Sequence, residues 1–95
     1  MLFALICTDK PGSLSIRLEN RPAHLAYLES FADQIAFAGP LVDAEDKPNG
    51  SLIVIEVPDR NAAENFAAGD PYARAGLFSK VEIRHTKQVF PKIHA

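Results

Sequence analysis

The chain has 95 residues, 47% of them apolar and 23% charged, with ten basic against twelve acidic side chains and a net charge of −2. That length suits one small domain over residues 1–95, and the mild acidity argues against nucleic-acid or anionic-membrane surfaces, which want a basic stripe. No run approaches the roughly 18 apolar residues of a membrane span, and the lone Cys7 has neither a disulfide partner nor a metal-ligand companion.

The opening MLFALICTDK is apolar early, lacks a positive leading segment and meets Asp9 at once. It predicts a buried strand over Leu2 to Cys7 instead of a signal peptide, and a cytoplasmic location is expected. Pro11 and Gly12 break that strand. Ser13 is placed to cap a first helical turn, and a second helical stretch is expected from Pro22 to about Ala36, stopped by Gly39-Pro40. A strand over 37–42 then leads into the polar loop DAEDKPNG, in which Asn49-Gly50 signals a turn before the strand SLIVIEV.

Asp59 suits the N-cap of the helix RNAAENFAA and Gly69 its C-terminal cap. DPYARAG predicts one further helical turn, with Asp70 as N-cap, Pro71 in the first position and Gly76 as the stop. The closing SKVEIRHTKQVF alternates as a strand with one face buried. The order β-α-β-β-α-β predicts an α+β, ferredoxin-like fold, a four-stranded antiparallel sheet with helices on one face. The other face needs cover, so a homodimer is expected.

One residue of the first helix stands out. On a wheel anchored at His24, the apolar Leu28, Phe31 and Ile35 fall within about 40° of it, and Glu29, Ser30, Asp33 and Gln34 fill the opposite arc. His24 therefore faces the sheet, where an unpaired imidazole costs about 1–3 kcal/mol. It is either a core histidine bonded to a backbone carbonyl or a general acid or base beside a pocket. Arg17 and Arg21 lie at helical spacing from it and could hold a carboxylate or phenolate, or could form a solvated face paired with Glu19 or Asp46. Asp70 is explained by capping alone, yet a carboxylate partner would also fix the tautomer of His24.

His85 falls on the Val81–Ile83 face of the last strand, and His94 reads as a solvated side chain near the end. Three scattered histidines without H-x-x-x-H or C-x-x-C spacing predict no metal site. The chain has no P-loop, G-x-G-x-x-G or G-x-S-x-G motif, and no cofactor is expected.

Together, RLENRPAHLAYL, AGP at 38–40, GS at 50–51 and DPYARAGL at 70–77 resemble the YciI-like (YCII-related) domain family across essentially the whole chain. The resemblance implies a dimeric α+β barrel of ferredoxin-like subunits with a pocket centred on a His–Asp pair, here His24 and Asp70. It places Arg17, Arg21, Asp9, Ser51 and Tyr72 at positions that line or support that pocket and bind substrate. Relatives include dehydrochlorinases of chlorinated hydroxyquinols, and the fold is similar to that of muconolactone isomerases. The loop VDAEDKPNG looks shorter than in many relatives, so pocket shape does not carry over.

Two functions compete. The first is a cofactor-independent enzyme using acid–base chemistry, elimination or isomerisation, on a small anionic or phenolic molecule. The second is a non-catalytic small-ligand-binding or dimerisation module. A haem-handling or monooxygenase role is a minor third, disfavoured by the lack of tryptophan and of a suitably placed methionine.

Overall fold

The computed structural model describes residues 1–92, so His94 lies outside the described residues. In chain order the elements are β1 (Leu2–Asp9), α1 (Leu14–Glu29), β2 (Ile35–Val42), β3 (Pro48–Glu56), α2 (Arg60–Gly69), the single turn α3 (Pro71–Arg74) and β4 (Phe78–Thr86). The strands form one antiparallel sheet in the order β2-β3-β1-β4. This is the ferredoxin-like α+β arrangement. No helix among the described residues is long and apolar enough to cross a membrane.

Strand alternation puts Phe3, Leu5 and Cys7 of β1 and Ser51, Ile53 and Ile55 of β3 on the face that the helices cover, where all six are buried. Ala63 and Phe66 of α2 close this core, with Tyr27, Leu28 and Phe31 packed against it. Leu2, Ala4, Ile6, Leu52 and Val54 point the other way and stay half-buried, with no helix over them among the described residues. The sheet thus has one filled face and one open apolar face.

Several boundaries differ from the sequence expectation. The first helix is one element ending at Glu29, not two pieces running to Ala36. Pro22 sits inside it, tolerated because the carbonyl it leaves unpaired is that of Leu18, an exposed residue that water can reach. After Glu29 the bonds tighten to an i→i+3 pattern, with Phe31 N on Leu28 O and Gln34 N on Phe31 O, and β-branched Ile35 joins β2 opposite Ile55. Ser13 holds the N-cap position without a side-chain cap bond.

The β2–β3 turn is Asp43–Lys47, with Asp46 in the left-handed region at φ 66°. Asn49 and Gly50 belong to β3 instead. Gly50 is glycine because a Cβ there would lie 2.5 Å from the Cys7 carbonyl oxygen. Gly69 ends α2 inside the helix, and its bareness admits the Tyr27 hydroxyl, 2.5 Å from where a Cβ would stand. The Asp59 cap is as expected, its side chain accepting from Ala62 N at 2.8 Å. The last strand stops at Thr86, which leaves Val89 and Phe90 exposed beyond it.

Candidate active site

The end of the helix-covered layer near Cys7 and Ser51 is polar where the rest is apolar. α1 sends Arg17 and His24 down onto the sheet, two turns apart on one stripe, and both are buried. The chain leaves α2 at Asp70, whose extended backbone starts α3, with Pro71 at a position that needs no N–H. Asp70 Oδ1 accepts from Tyr72 N at 2.9 Å and lies 2.8 Å from His24 Nδ1. Capping and histidine pairing, alternatives on the sequence, are done by one carboxylate oxygen.

That pairing sets the tautomer. An ionised carboxylate only accepts, so opposite it Nδ1 carries the proton, and in the neutral ring Nε2 then keeps its lone pair. Nε2 has no hydrogen-bond partner among the described residues. Every fully buried side-chain nitrogen and oxygen there is satisfied, so Nε2 is not sealed and opens into the cavity that His24 lines.

Arg17 anchors the other side. Its Nε and Nη2 donate to Asp9 Oδ2 and Oδ1 at 2.7 and 2.8 Å, and Nη2 also donates to Ser51 Oγ at 3.0 Å. Both charged side chains are only 5% exposed, which makes this a buried bidentate pair. Burial alone would lower the Arg17 pKa, but the bond and charge of Asp9 and the nearby Tyr72 outweigh it, and the pKa is raised. The guanidinium is permanently charged.

Tyr72 joins the two halves. Its ring stacks on His24 with centroids 3.9 Å apart at 12°, and the Arg17 Cζ stands 4.6 Å from the same centroid. Burial, with a smaller push from Asp70, raises the Tyr72 pKa against the opposing charges of Arg17 and Arg21. Tyr72 is 2% exposed and lines the cavity, and its hydroxyl lies within reach of the Arg17 guanidinium, which can only donate to it.

The cavity holds about 340 Å³ and is lined by Arg17, Arg21, His24, Ser51 and Tyr72 on its polar side. Leu18, Leu25, Leu28, Ala38, Gly39, Pro40 and Pro48 make the apolar wall. Arg21 is exposed at this cavity with no ion pair among the described residues, in place of the pairing with Glu19 or Asp46 considered from sequence.

Asp9 is not on the wall. It stands behind Arg17 and holds it. His85 sits opposite Phe3, 5.2 Å from that ring, exposed and away from the cavity. Sequence reasoning missed the leucines of the wall, whose spacing is indistinguishable from that of core residues, although AGP at 38–40 marked the facing strand. Cys7 lies buried beneath the site, its thiol pushed up from 9.0 to about 12 chiefly by burial and next by the charge of Asp70. It is inert as a nucleophile near neutral pH.

The YCII-related domain profile matches residues 1–87. The chain belongs to the YCII-related domain family. It is 38% identical over 98 aligned positions to protein YciI of Escherichia coli O6:H1, covering 95% of this chain and all of that one. An uncharacterized protein of Haemophilus influenzae is 32% identical over the same shares. Among solved structures, the 5-chloro-2-hydroxyhydroquinone dehydrochlorinase TftG of Burkholderia phenoliruptrix AC1100, in complex with 2,5-dihydroxybenzoquinone, superposes with a TM-score of 0.88. That pair is 35% identical over 92% of this chain and 94% of the other. An antibiotic biosynthesis monooxygenase, 20% identical over 94% and 99% of the two chains at a TM-score of 0.54, shares the fold alone.

Proposed function

We propose that this YCII-family protein is a cofactor-independent enzyme in which the His24–Asp70 pair performs acid–base chemistry, elimination or isomerisation, on a small anionic or phenolic molecule. The observation that carries the reading is the Nδ1 contact to Asp70, which leaves a basic Nε2 facing a cavity of small-molecule size. Asp70 orients the ring and stabilises the imidazolium that forms. Arg21 supplies an uncommitted charge for an oxyanion, and Arg17, Ser51 and Tyr72 add polar contacts. The two guanidinium groups only donate, which favours a ligand rich in oxygen acceptors with one acidic proton aimed at His24. The likeness to TftG supports a hydroxylated aromatic as the first compound to try.

The test uses 5-chloro-2-hydroxyhydroquinone as probe and chloride release as readout. The parent should release chloride, and His24→Ala should lower the rate about 100-fold or more while remaining folded. Unchanged release in His24→Ala removes the histidine from the mechanism. A parent that is stabilised by 2,5-dihydroxybenzoquinone in a thermal-shift assay but never turns the probe over would instead be a non-catalytic ligand-binding module.

The working unit is proposed to be a homodimer of single 95-residue domains, closed over the open sheet face of Leu2, Ala4, Ile6, Leu52 and Val54. Sedimentation should give a dimer, and Val54→Lys should give a monomer.

A further inference from the structure

The cavity offers a second group able to move a proton. Tyr72 is held on three sides, by its stack on His24, by the Arg17 guanidinium and by the N-cap bond from its own amide to Asp70. Its hydroxyl oxygen has the Arg17 guanidinium as a neighbour that can only donate, so the phenol proton is left without an acceptor among the described residues, beside the cavity that His24 also lines. A tyrosine kept merely as a ring would serve as well as phenylalanine. Two cations, Arg17 and Arg21, stand near enough to favour its phenolate, while burial keeps it protonated in the resting state.

We propose that Tyr72 is the catalytic acid of this site, delivering a proton to the substrate as His24 withdraws one from another atom of it. The inference rests on the acid–base reading above and extends it from one proton-transfer group to two.

For a chlorinated hydroxyquinol the bookkeeping closes without an oxidant or reductant. His24 Nε2 takes the proton of the hydroxyl next to the chlorine-bearing carbon. The electron pair moves into the ring, and that carbon forms a C–H bond with the proton of Tyr72 Oη, giving a dienone and a tyrosinate beside two arginines. The hydroxyl para to the first then returns its proton to Tyr72 as its electrons form a carbonyl, the ring double bond shifts, and chloride leaves with the carbon–chlorine pair. The products are 2-hydroxybenzoquinone, chloride and the proton left on His24. Base and acid must act on different atoms of one flat ligand, which is what two stacked side chains opening on one cavity provide.

Tyr72→Phe keeps the ring and deletes only the acid. With 5-chloro-2-hydroxyhydroquinone as probe, chloride release should fall about 100-fold or more. The affinity for 2,5-dihydroxybenzoquinone should change less than about tenfold, as expected for one lost hydrogen bond. The parent rate should also fall at alkaline pH as Tyr72 ionises, and that limb should be missing from the residual rate of Tyr72→Phe. A parental rate or an unchanged alkaline limb in Tyr72→Phe overturns the inference while leaving His24 in place. A parent that releases no chloride overturns the acid–base reading and this inference with it.

Discussion

Helix α1 meets the sheet in two chemistries. At its C-terminal end, Tyr27 and, in the turn just beyond, Phe31 pack with Phe66 of α2 at ring separations of 4.8 to 5.2 Å, an aromatic cluster with no charge in it. One to three turns earlier the same stripe presents His24 and Arg17, which require Asp70, Asp9 and Ser51 to be satisfied. The aromatic end is undemanding, because apolar contacts are non-directional. The polar end is exacting. A buried ion pair is often no more stabilising than well-packed apolar side chains, so the fold alone gives little reason to maintain it. The difference teaches that the aromatic end holds the layer together and the polar end is kept for the cavity.

The sharpest way to break this comparison is to delete one side of the buried pair. Asp9→Ala leaves the Arg17 charge stranded and should cost about 3–5 kcal/mol in urea unfolding. Ligand affinity should fall too, since Arg17 loses its anchor. Converting both partners, Asp9→Leu with Arg17→Met, should restore most of the stability and none of the binding. A double variant as unstable as the single would place the pair in the fold's support after all.

Phe66→Ala should cost a similar 3–5 kcal/mol at the other end. Below its lowered melting temperature it should still bind 2,5-dihydroxybenzoquinone like the parent, and loss of that binding would show the two ends to be coupled.

Alkaline pH probes the floor beneath the site. The Cys7 thiol ionises near 9.0 when unfolded and at about 12 when folded, so above pH 9 the unfolded chain loses the proton first. Stability should therefore be intact below about pH 9 and drain as pH rises toward 12. Tyr27 and Tyr72, also raised mainly by burial, act in the same direction. Cys7→Ala should flatten the slope without abolishing it, as pH-dependent urea midpoints would show.

The smallest effect on stability is expected at Arg21. Arg21→Ala should change unfolding by less than about 0.5 kcal/mol, as an exposed side chain without a partner. It should nevertheless weaken 2,5-dihydroxybenzoquinone about tenfold or more by removing a charged donor.

The element order and the inward aim of His24 were legible because alternation and helical periodicity carry burial directly. Boundaries were less so. The first helix loses Phe31 and Ile35 to a turn and a strand because pairing with β3 competes with helical propensity, a tertiary effect that a helical wheel does not contain. Asn49-Gly50 signals a turn locally, but the approach of the Cys7 carbonyl explains the glycine, and that neighbour lies more than forty positions away. At the site, Asp70 was legible as a partner of His24 beside its capping role, and the partner of Arg17 was not. Arg17 pairs with Asp9 across the β1–α1 turn, and Tyr72 joins the helically spaced Arg17 and His24 from a segment that no spacing links to them.

The central claim is that Asp70 holds the proton of His24 on Nδ1 and leaves Nε2 as the base in the cavity. Nitrogen-15 NMR of imidazole-labelled protein near neutral pH measures this directly. The account predicts a protonated, pyrrole-type Nδ1 and an unprotonated Nε2 whose signal shifts when 2,5-dihydroxybenzoquinone binds, with Asp70→Asn disturbing that pattern. A His24 that carries its proton on Nε2, or whose Nε2 is indifferent to the ligand, would contradict it.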